Sequence, residues 1–265
     1  MKLKKLTALA LAGLMTIGLT GCGNGGGNAD SELSGKTLKV VTAAPYEPYE
    51  TMNSNGDLEG FDIDLANAIA EKLGFKIEWQ NLEFDAMLLA TQNGQADFAI
   101  AGLSPEPERM AVMDFSEVYY QDEKDTANTV VTLKDKGYSS IDDLKGKKVG
   151  VQNGTIQQTA VEGIAEEYEL KVETRKEYAD IAQEILNGNM DFMVCEKAMS
   201  EKLMSTYPQL QSFLLGVGEG SNGNAIAFKK GSDLKEKFDT VIKEMLENGE
   251  MQKLVDKWFA DGAAE

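Results

Sequence analysis

The stretch Gly102 to Tyr120, GLSPEPERMAVMDFSEVYY, carries an arginine where an anion could be held. Arg109 falls within a short expected helix, with Ser104 as N-cap, Pro105 at the first helical position and Glu106 and Glu108 in the first turn. A guanidinium stays charged and matches a carboxylate in two-point geometry. On helix periodicity alone Arg109 reads as a surface arginine paired with Glu106 or Asp114. A second anion-compatible feature turns that reading towards a receptor. Asn153-Gly154-Thr155 opens a helix, and free N–H groups at a helix start suit a carboxylate. Thr155 would serve there as a cap, a ligand contact or both.

What is missing narrows the chemistry. The 265 residues include no histidine, which removes Ser-His-Asp and Cys-His nucleophile pairs and every His-ligated metal site. The two cysteines, Cys22 and Cys195, cannot make a zinc site, and no disulfide between them is expected; Cys195 reads as a small buried residue. A net charge of −18 argues against a nucleic-acid partner. No cofactor and no metal is expected.

The elements that must hold these residues alternate. Leu38–Thr42 reads as a strand and Ala43 to Tyr49 as a loop stiffened by two prolines. A helix closes at Gly74, followed by a strand at Lys76–Trp79, a helix over Phe84–Asn93 and a strand over Asp97–Ala101. After a charged connector, Gln121 to Asp125, the rhythm repeats: strands at Val130–Leu133, Lys148–Val151, Leu170–Glu173 and Asp191–Val194, with helices between and after them. A Gly-rich passage, Gly216 to Asn224, leads to a strand over Asn224–Phe228 and two closing helices. This order predicts an α/β fold with mostly parallel sheets.

The N-terminus has Lys2, Lys4 and Lys5 before an apolar run, Leu6 to Leu19, too short for a settled membrane span. It ends in Leu19-Thr20-Gly21-Cys22, which resembles the bacterial lipobox. The resemblance implies a signal peptide over residues 1–21 and a lipidated Cys22. Residues 22–35 would then be a flexible tether holding a folded protein on the outer face of the cytoplasmic membrane.

Five further marks appear in order: Gly60-Phe61-Asp62-Ile63-Asp64-Leu65; Gly-Leu-Ser…Glu-Arg followed by Asp114-Phe115-Ser116; Val149 to Thr155; Asp191 with Glu196; and Trp258-Phe259. Together, from about Leu38 to the C-terminus, they resemble the bacterial extracellular solute-binding proteins of the polar amino acid class, which feed ABC importers. The resemblance implies two α/β lobes of the type II periplasmic-binding-protein fold, joined by two hinge strands. Lobe one would be 36–121 plus 220–265 and lobe two 122–219. It implies a monomer that is not an enzyme, binds a free amino acid between the lobes and delivers it to a membrane permease.

Carried over by position, the resemblance puts Arg109 on the ligand α-carboxylate, with Ser104 and the Gly102 carbonyl beside it, the carbonyl facing the α-ammonium. Thr155 and the N–H of Ile156 meet the carboxylate from the other lobe, and Glu196 pairs with the ammonium. Tyr46 and Phe84 flank the side chain, and Gln152 lies near its tip. Plainer readings stand beside these: core for Tyr46 and Phe84, a helix start for Glu196. Ala43 stands where basic-side-chain binders often carry an acid, which argues against a basic ligand. Ile156 replaces a common second threonine, and Glu196 is one methylene longer than the usual aspartate. A cyclic-acid dehydratase on the same fold, with Glu196 as general acid, and a sensory binding protein are the competing classes.

Overall fold

The computed structural model describes residues 32–121, 127–217 and 223–259. The signal peptide, Cys22 and most of the tether lie outside these residues, as do 122–126 and 218–222, within the connectors expected to carry the hinge strands.

The first sheet has the order β4-β1-β5-β12-β6. Its strands are β1 (Thr37–Thr42), β4 (Lys76–Asn81), β5 (Phe98–Ala99), β6 (Met113–Phe115) and, from the far end of the chain, β12 (Ala227–Lys229). The strands β2 (Thr51–Met52) and β3 (Leu58–Glu59) form a small hairpin beside it. The second sheet has the order β11-β7-β10-β8-β9. It contains β7 (Asn128–Leu133), β8 (Lys148–Gln152), β9 (Lys171–Arg175), β10 (Phe192–Glu196) and β11 (Leu210–Leu214).

Each sheet has one antiparallel member, β12 in the first and β7 in the second. Those two strands are the first that the chain enters after passing between the sheets. Both sheets therefore repeat one order of assembly without any sequence repeat.

Helices α1 (Phe61–Leu73), α2 (Phe84–Gln92), α3 (Pro107–Val112), α7 (Leu234–Glu247) and α8 (Glu250–Trp258) belong with the first sheet. Helices α4 (Ile156–Ile164), α5 (Tyr178–Leu186) and α6 (Lys197–Thr206) belong with the second. The first core gathers Phe61, Leu65, Phe98, Phe228, Phe238 and Ile242, all fully buried. Each such side chain contributes roughly 1.5–3 kcal/mol by leaving water.

The acids of the Gly60–Leu65 motif divide two tasks. Asp64 accepts from Trp258 Nε1 at 2.8 Å and pairs with Lys257 at 2.6 Å, pinning α8 to α1. Asp62 is fully buried and accepts from Gly102 N–H at 2.6 Å and from Tyr119 O–H at 2.9 Å. Gly60 enters α1 at φ 139°, where a Cβ would lie 2.2 Å from the Tyr49 carbonyl oxygen, so the turn requires glycine.

Two local expectations change. The short helix after Gly102 starts at Pro107, not at Pro105, with Glu106 and not Ser104 in the cap position. Glu106 precedes a proline, which forces it into extended backbone and delays the helix by two residues. Strand β11 was not foreseen, because Gln211 and Ser212 interrupt its apolar character; pairing with β7 makes it a strand.

Candidate functional site

Nine residues expected at the site, Tyr46, Phe84, Gly102, Ser104, Arg109, Gln152, Thr155, Ile156 and Glu196, line one narrow cleft between the sheets, whose free volume is about 30 Å³. The first five come from the first-sheet half and the last four from the second.

Arg109 sits in the first turn of α3, half-buried, with its guanidinium 5.4 Å from the centre of the Phe84 ring. Nη1 donates to the Ser104 carbonyl and Nη2 to the Gly154 carbonyl, each at 3.1 Å. The second bond reaches the opposite half of the molecule. Desolvation in the cleft lowers the guanidinium to about 10, against the pull of Glu106, Glu196 and Tyr178, so it remains a cation at neutral pH. Asp114, its alternative surface partner, is instead paired with Lys230 at 2.9 Å.

Glu196 ends β10 and caps α6, 3% exposed. Tyr46 O–H donates to its Oε2 at 2.5 Å, another bond across the cleft. Burial, and then the negative charge of Glu196, push the Tyr46 phenol well above its ordinary range, so it stays a donor. The Tyr46 ring lies between Tyr49, at 5.3 Å, and Tyr178, at 6.4 Å.

Thr155 caps α4: its hydroxyl accepts from Gln158 N–H at 3.2 Å and donates to the Gln152 carbonyl at 2.8 Å. Ile156 and Gln157 follow in the first turn, where N–H groups have no partner inside the helix. The Gln152 amide donates to the Lys176 carbonyl at 2.9 Å, which leaves its carbonyl oxygen and its second N–H for other partners.

Gly102 takes φ 55°, and a Cβ there would sit 2.8 Å from Tyr46 Cε1. Its N–H donates to Asp62 at 2.6 Å, and its carbonyl accepts from Asn224 Nδ2 at 2.6 Å. One lone pair of that carbonyl, expected to face an ammonium, is thus committed to Asn224, leaving a single one. Asn224 also bonds through its backbone to Tyr119 and Tyr120, beside the passage between the sheets. The cleft floor and the crossing are therefore one hydrogen-bonded unit.

Further contacts close the mouth. Asn153 donates to Asp85 at 2.6 Å, and Glu47 pairs with Lys202. Glu83 faces Glu177 and lies 3.8 Å from Lys176. Desolvation first, then the charge of Glu83 and a hydrogen bond to it, raise Glu177 to about 7; Asp180 adds to the rise and Lys176 opposes it.

The family model of the bacterial extracellular solute-binding proteins, family 3, matches residues 38–261. The chain belongs to that family. It is 39% identical over 259 residues to the arginine-binding extracellular protein ArtP of Bacillus subtilis, covering 97% of this chain and 98% of that one. An ancestral arginine-binding protein, solved bound to arginine, superposes with a TM-score of 0.76 at 35% identity, covering 84% of this chain and 98% of that one. An ancestral amino acid-binding protein described as a precursor of cyclohexadienyl dehydratase superposes at 0.71 with 32% identity, over 84% and 95%. The two-lobed α/β fold of the family is the one seen here, and the protein is extracytoplasmic by that membership. Among the described residues, no helix is long and apolar enough to cross a membrane, and no cluster of metal-ligating side chains occurs.

Within this family member the cleft also takes Ala43, Glu50, Ala101, Gln157 and Tyr178. Ala43 was marked in the sequence only for the acid it lacks. Tyr178 opens an apolar helix face and reads as core, and Gln157 reads as a surface helix residue. Glu50 carried no signal beyond its place four residues after Tyr46, where the two backbones bond to each other. Cys195 is fully buried among the second core, and desolvation pushes its thiol far up, so it is inert packing.

Proposed function

We propose that this protein is the receptor of an amino acid ABC importer and that its ligand is a basic amino acid, arginine first. The observation that carries this is the shared cleft: a guanidinium from one lobe and a carboxylate from the other line it together. A zwitterion is the ligand that satisfies both. The choice of arginine rests on the names of the relatives.

In the proposed mechanism, Arg109 takes the ligand carboxylate in a two-point pair, aided by Thr155 and the first-turn N–H groups of α4. Glu196 takes the ammonium, and Tyr46 turns its phenol to share that carboxylate. Phe84 and Tyr46 bound the side chain. An open form offers only one charge at a time. Closing completes both pairs, and this difference in contacts shifts the balance towards the closed form. Lobe one is assigned 36–121 plus 220–265 and lobe two 122–219, hinged between them. The closed monomer then docks on a permease.

Cys22 is proposed as the lipidated first residue of the mature protein. Nothing in the cleft calls for turnover: with no histidine in the chain, Glu196 serves as counter-ion and not as general acid. Calorimetric titration of the protein lacking residues 1–22 with the common amino acids tests the reading. Saturable one-to-one binding of arginine is expected; the absence of binding to every amino acid refutes it. Retention of a Cys22→Ser variant in the membrane fraction, with no lipid mass on the wild-type N-terminus, refutes the anchor.

A further inference from the structure

Asn224 is fully buried, shortly before β12, where the chain returns to the first sheet. Its backbone is tied to the residues by which the chain leaves that half. Its N–H donates to the Tyr120 carbonyl at 2.7 Å, and its carbonyl accepts from Tyr119 N–H at 2.9 Å. The outgoing and returning segments are pressed together here. At Gly223, φ 99°, a Cβ would lie 2.7 Å from Val118 Cγ1 and 2.9 Å from the Tyr120 carbonyl oxygen. A side chain rooted at this position therefore follows the crossing between the lobes.

The Asn224 amide reaches the cleft floor with both of its ends. Nδ2 donates to the Gly102 carbonyl at 2.6 Å, and Oδ1 accepts from Tyr49 O–H at 3.2 Å. Turned over, the amide would set its own oxygen against the Gly102 carbonyl, so its partners fix which end is which.

Each end leads to a group expected to hold the ligand ammonium. The first is the Gly102 carbonyl itself. Gly102 stands at φ 55°, and a glycine has other conformations open to it, so the direction of its carbonyl needs an outside restraint. Asp62 holds the Gly102 N–H, and Asn224 holds the carbonyl. The second group is Glu196. Tyr49 lies flat against Tyr46, with 5.3 Å between ring centres and 10° between planes, and Tyr46 O–H donates to Glu196. Acceptors from both lobes thus trace to one amide.

We infer that Asn224 is a positioning residue for the ligand α-ammonium, its amide setting the Gly102 carbonyl directly and Glu196 through Tyr49 and Tyr46, from the paired backbone at the crossing. The inference rests on the proposed zwitterionic ligand and goes beyond it by naming the residue that orients one end of the site. Asn224 does not itself line the cleft. It acts by fixing where two acceptors stand, so its loss costs affinity for a ligand that donates to both.

The test compares L-arginine with L-argininic acid, in which a hydroxyl replaces the α-ammonium, on wild type and Asn224→Leu. Calorimetry reads both, argininic acid by its displacement of arginine. A hydroxyl has one hydrogen to donate and satisfies one acceptor, not two. Expected is a loss of about tenfold for arginine in Asn224→Leu, as for one hydrogen bond to a charged group, with argininic acid changed less than about threefold. Tyr49→Phe removes the bond at the other end of the amide and keeps the one to Gly102. It should weaken arginine by about threefold and leave argininic acid unchanged, and it carries the test if melting shows Asn224→Leu to be unfolded. Equal losses for both ligands in a folded variant, as a merely structural role would give, overturn the inference and leave the receptor reading intact. So does arginine affinity unchanged in both variants. If wild type binds another amino acid in place of arginine, that amino acid and its α-hydroxy acid form the pair. A wild type that binds the two members of the pair alike overturns the ammonium contact and the inference with it, and one that binds no amino acid overturns the receptor reading as well.

Discussion

Replacing Arg109 by alanine removes the cation on which ligand capture is argued to depend. In the cleft the guanidinium holds the Ser104 and Gly154 carbonyls at 3.1 Å each and lies 5.4 Å from the Phe84 ring centre. The stability cost is small, because the group is half-buried and a ring contact of this kind contributes about 0.5–1 kcal/mol. The affinity cost is large. A ligand carboxylate left in the closed cleft without its partner loses roughly 2–5 kcal/mol. At about 1.4 kcal/mol per tenfold this is a rise in Kd of about 30-fold to several thousand-fold. Calorimetry with arginine reads the change, and thermal melting shows that the variant is folded. Arg109→Lys keeps the charge and loses the fork, so its Kd falls between the two. An Arg109→Ala Kd within about threefold of wild type would refute the two-charge argument, since among the described residues no other cation lines the cleft.

Two other perturbations follow from the geometry. Glu177 has a folded-state pKa of about 7 against an ordinary 4.5, so the folded, closed form binds its proton more tightly than the unfolded or open one. The stabilisation is complete below about pH 4.5 and is lost as pH rises through about 7. The melting temperature of wild type should therefore fall more steeply than that of Glu177→Gln between about pH 5 and 8; parallel curves would contradict the Glu83–Glu177 contact. Gly102→Ala places a Cβ 2.8 Å from Tyr46 Cε1 at φ 55°. It should cost about 1–3 kcal/mol by overpacking and strain, a drop of several degrees in Tm, and it should weaken arginine binding by shifting Tyr46 off Glu196. An unchanged Tm and Kd would show that the loop gives way freely.

Much of this architecture was legible because it depends on local signals. The alternation of strands with helices located α1, α2, α4, α5 and α6 to within a few residues, since each buries a stripe at helical spacing. Thr155 showed its capping role through type and position alone. Arg109 was visible for its chemistry, although its helix begins later than its surroundings suggested, because two prolines two residues apart compete to start it. Glu50 and Tyr178 were not legible. Their importance comes from neighbours distant in sequence, Asp62 beside Glu50 and Tyr46 beside Tyr178, and such pairings leave no periodic trace in either segment. Strand β11 was missed for the same reason, being held by β7 and not by its own propensity.

The split of the first half into two chain segments also orders the life of the chain. The second sheet draws all its strands from residues 128–214, a continuous run that can settle as soon as it is made. The first sheet needs β12, and its core needs Phe228, Phe238 and Ile242, which emerge last. Contacts this distant in sequence form slowly. Until its final residues arrive, the half bearing Arg109 stays unfinished during synthesis, and a chain cut short before residue 227 would lack a completed wall on which to receive a ligand.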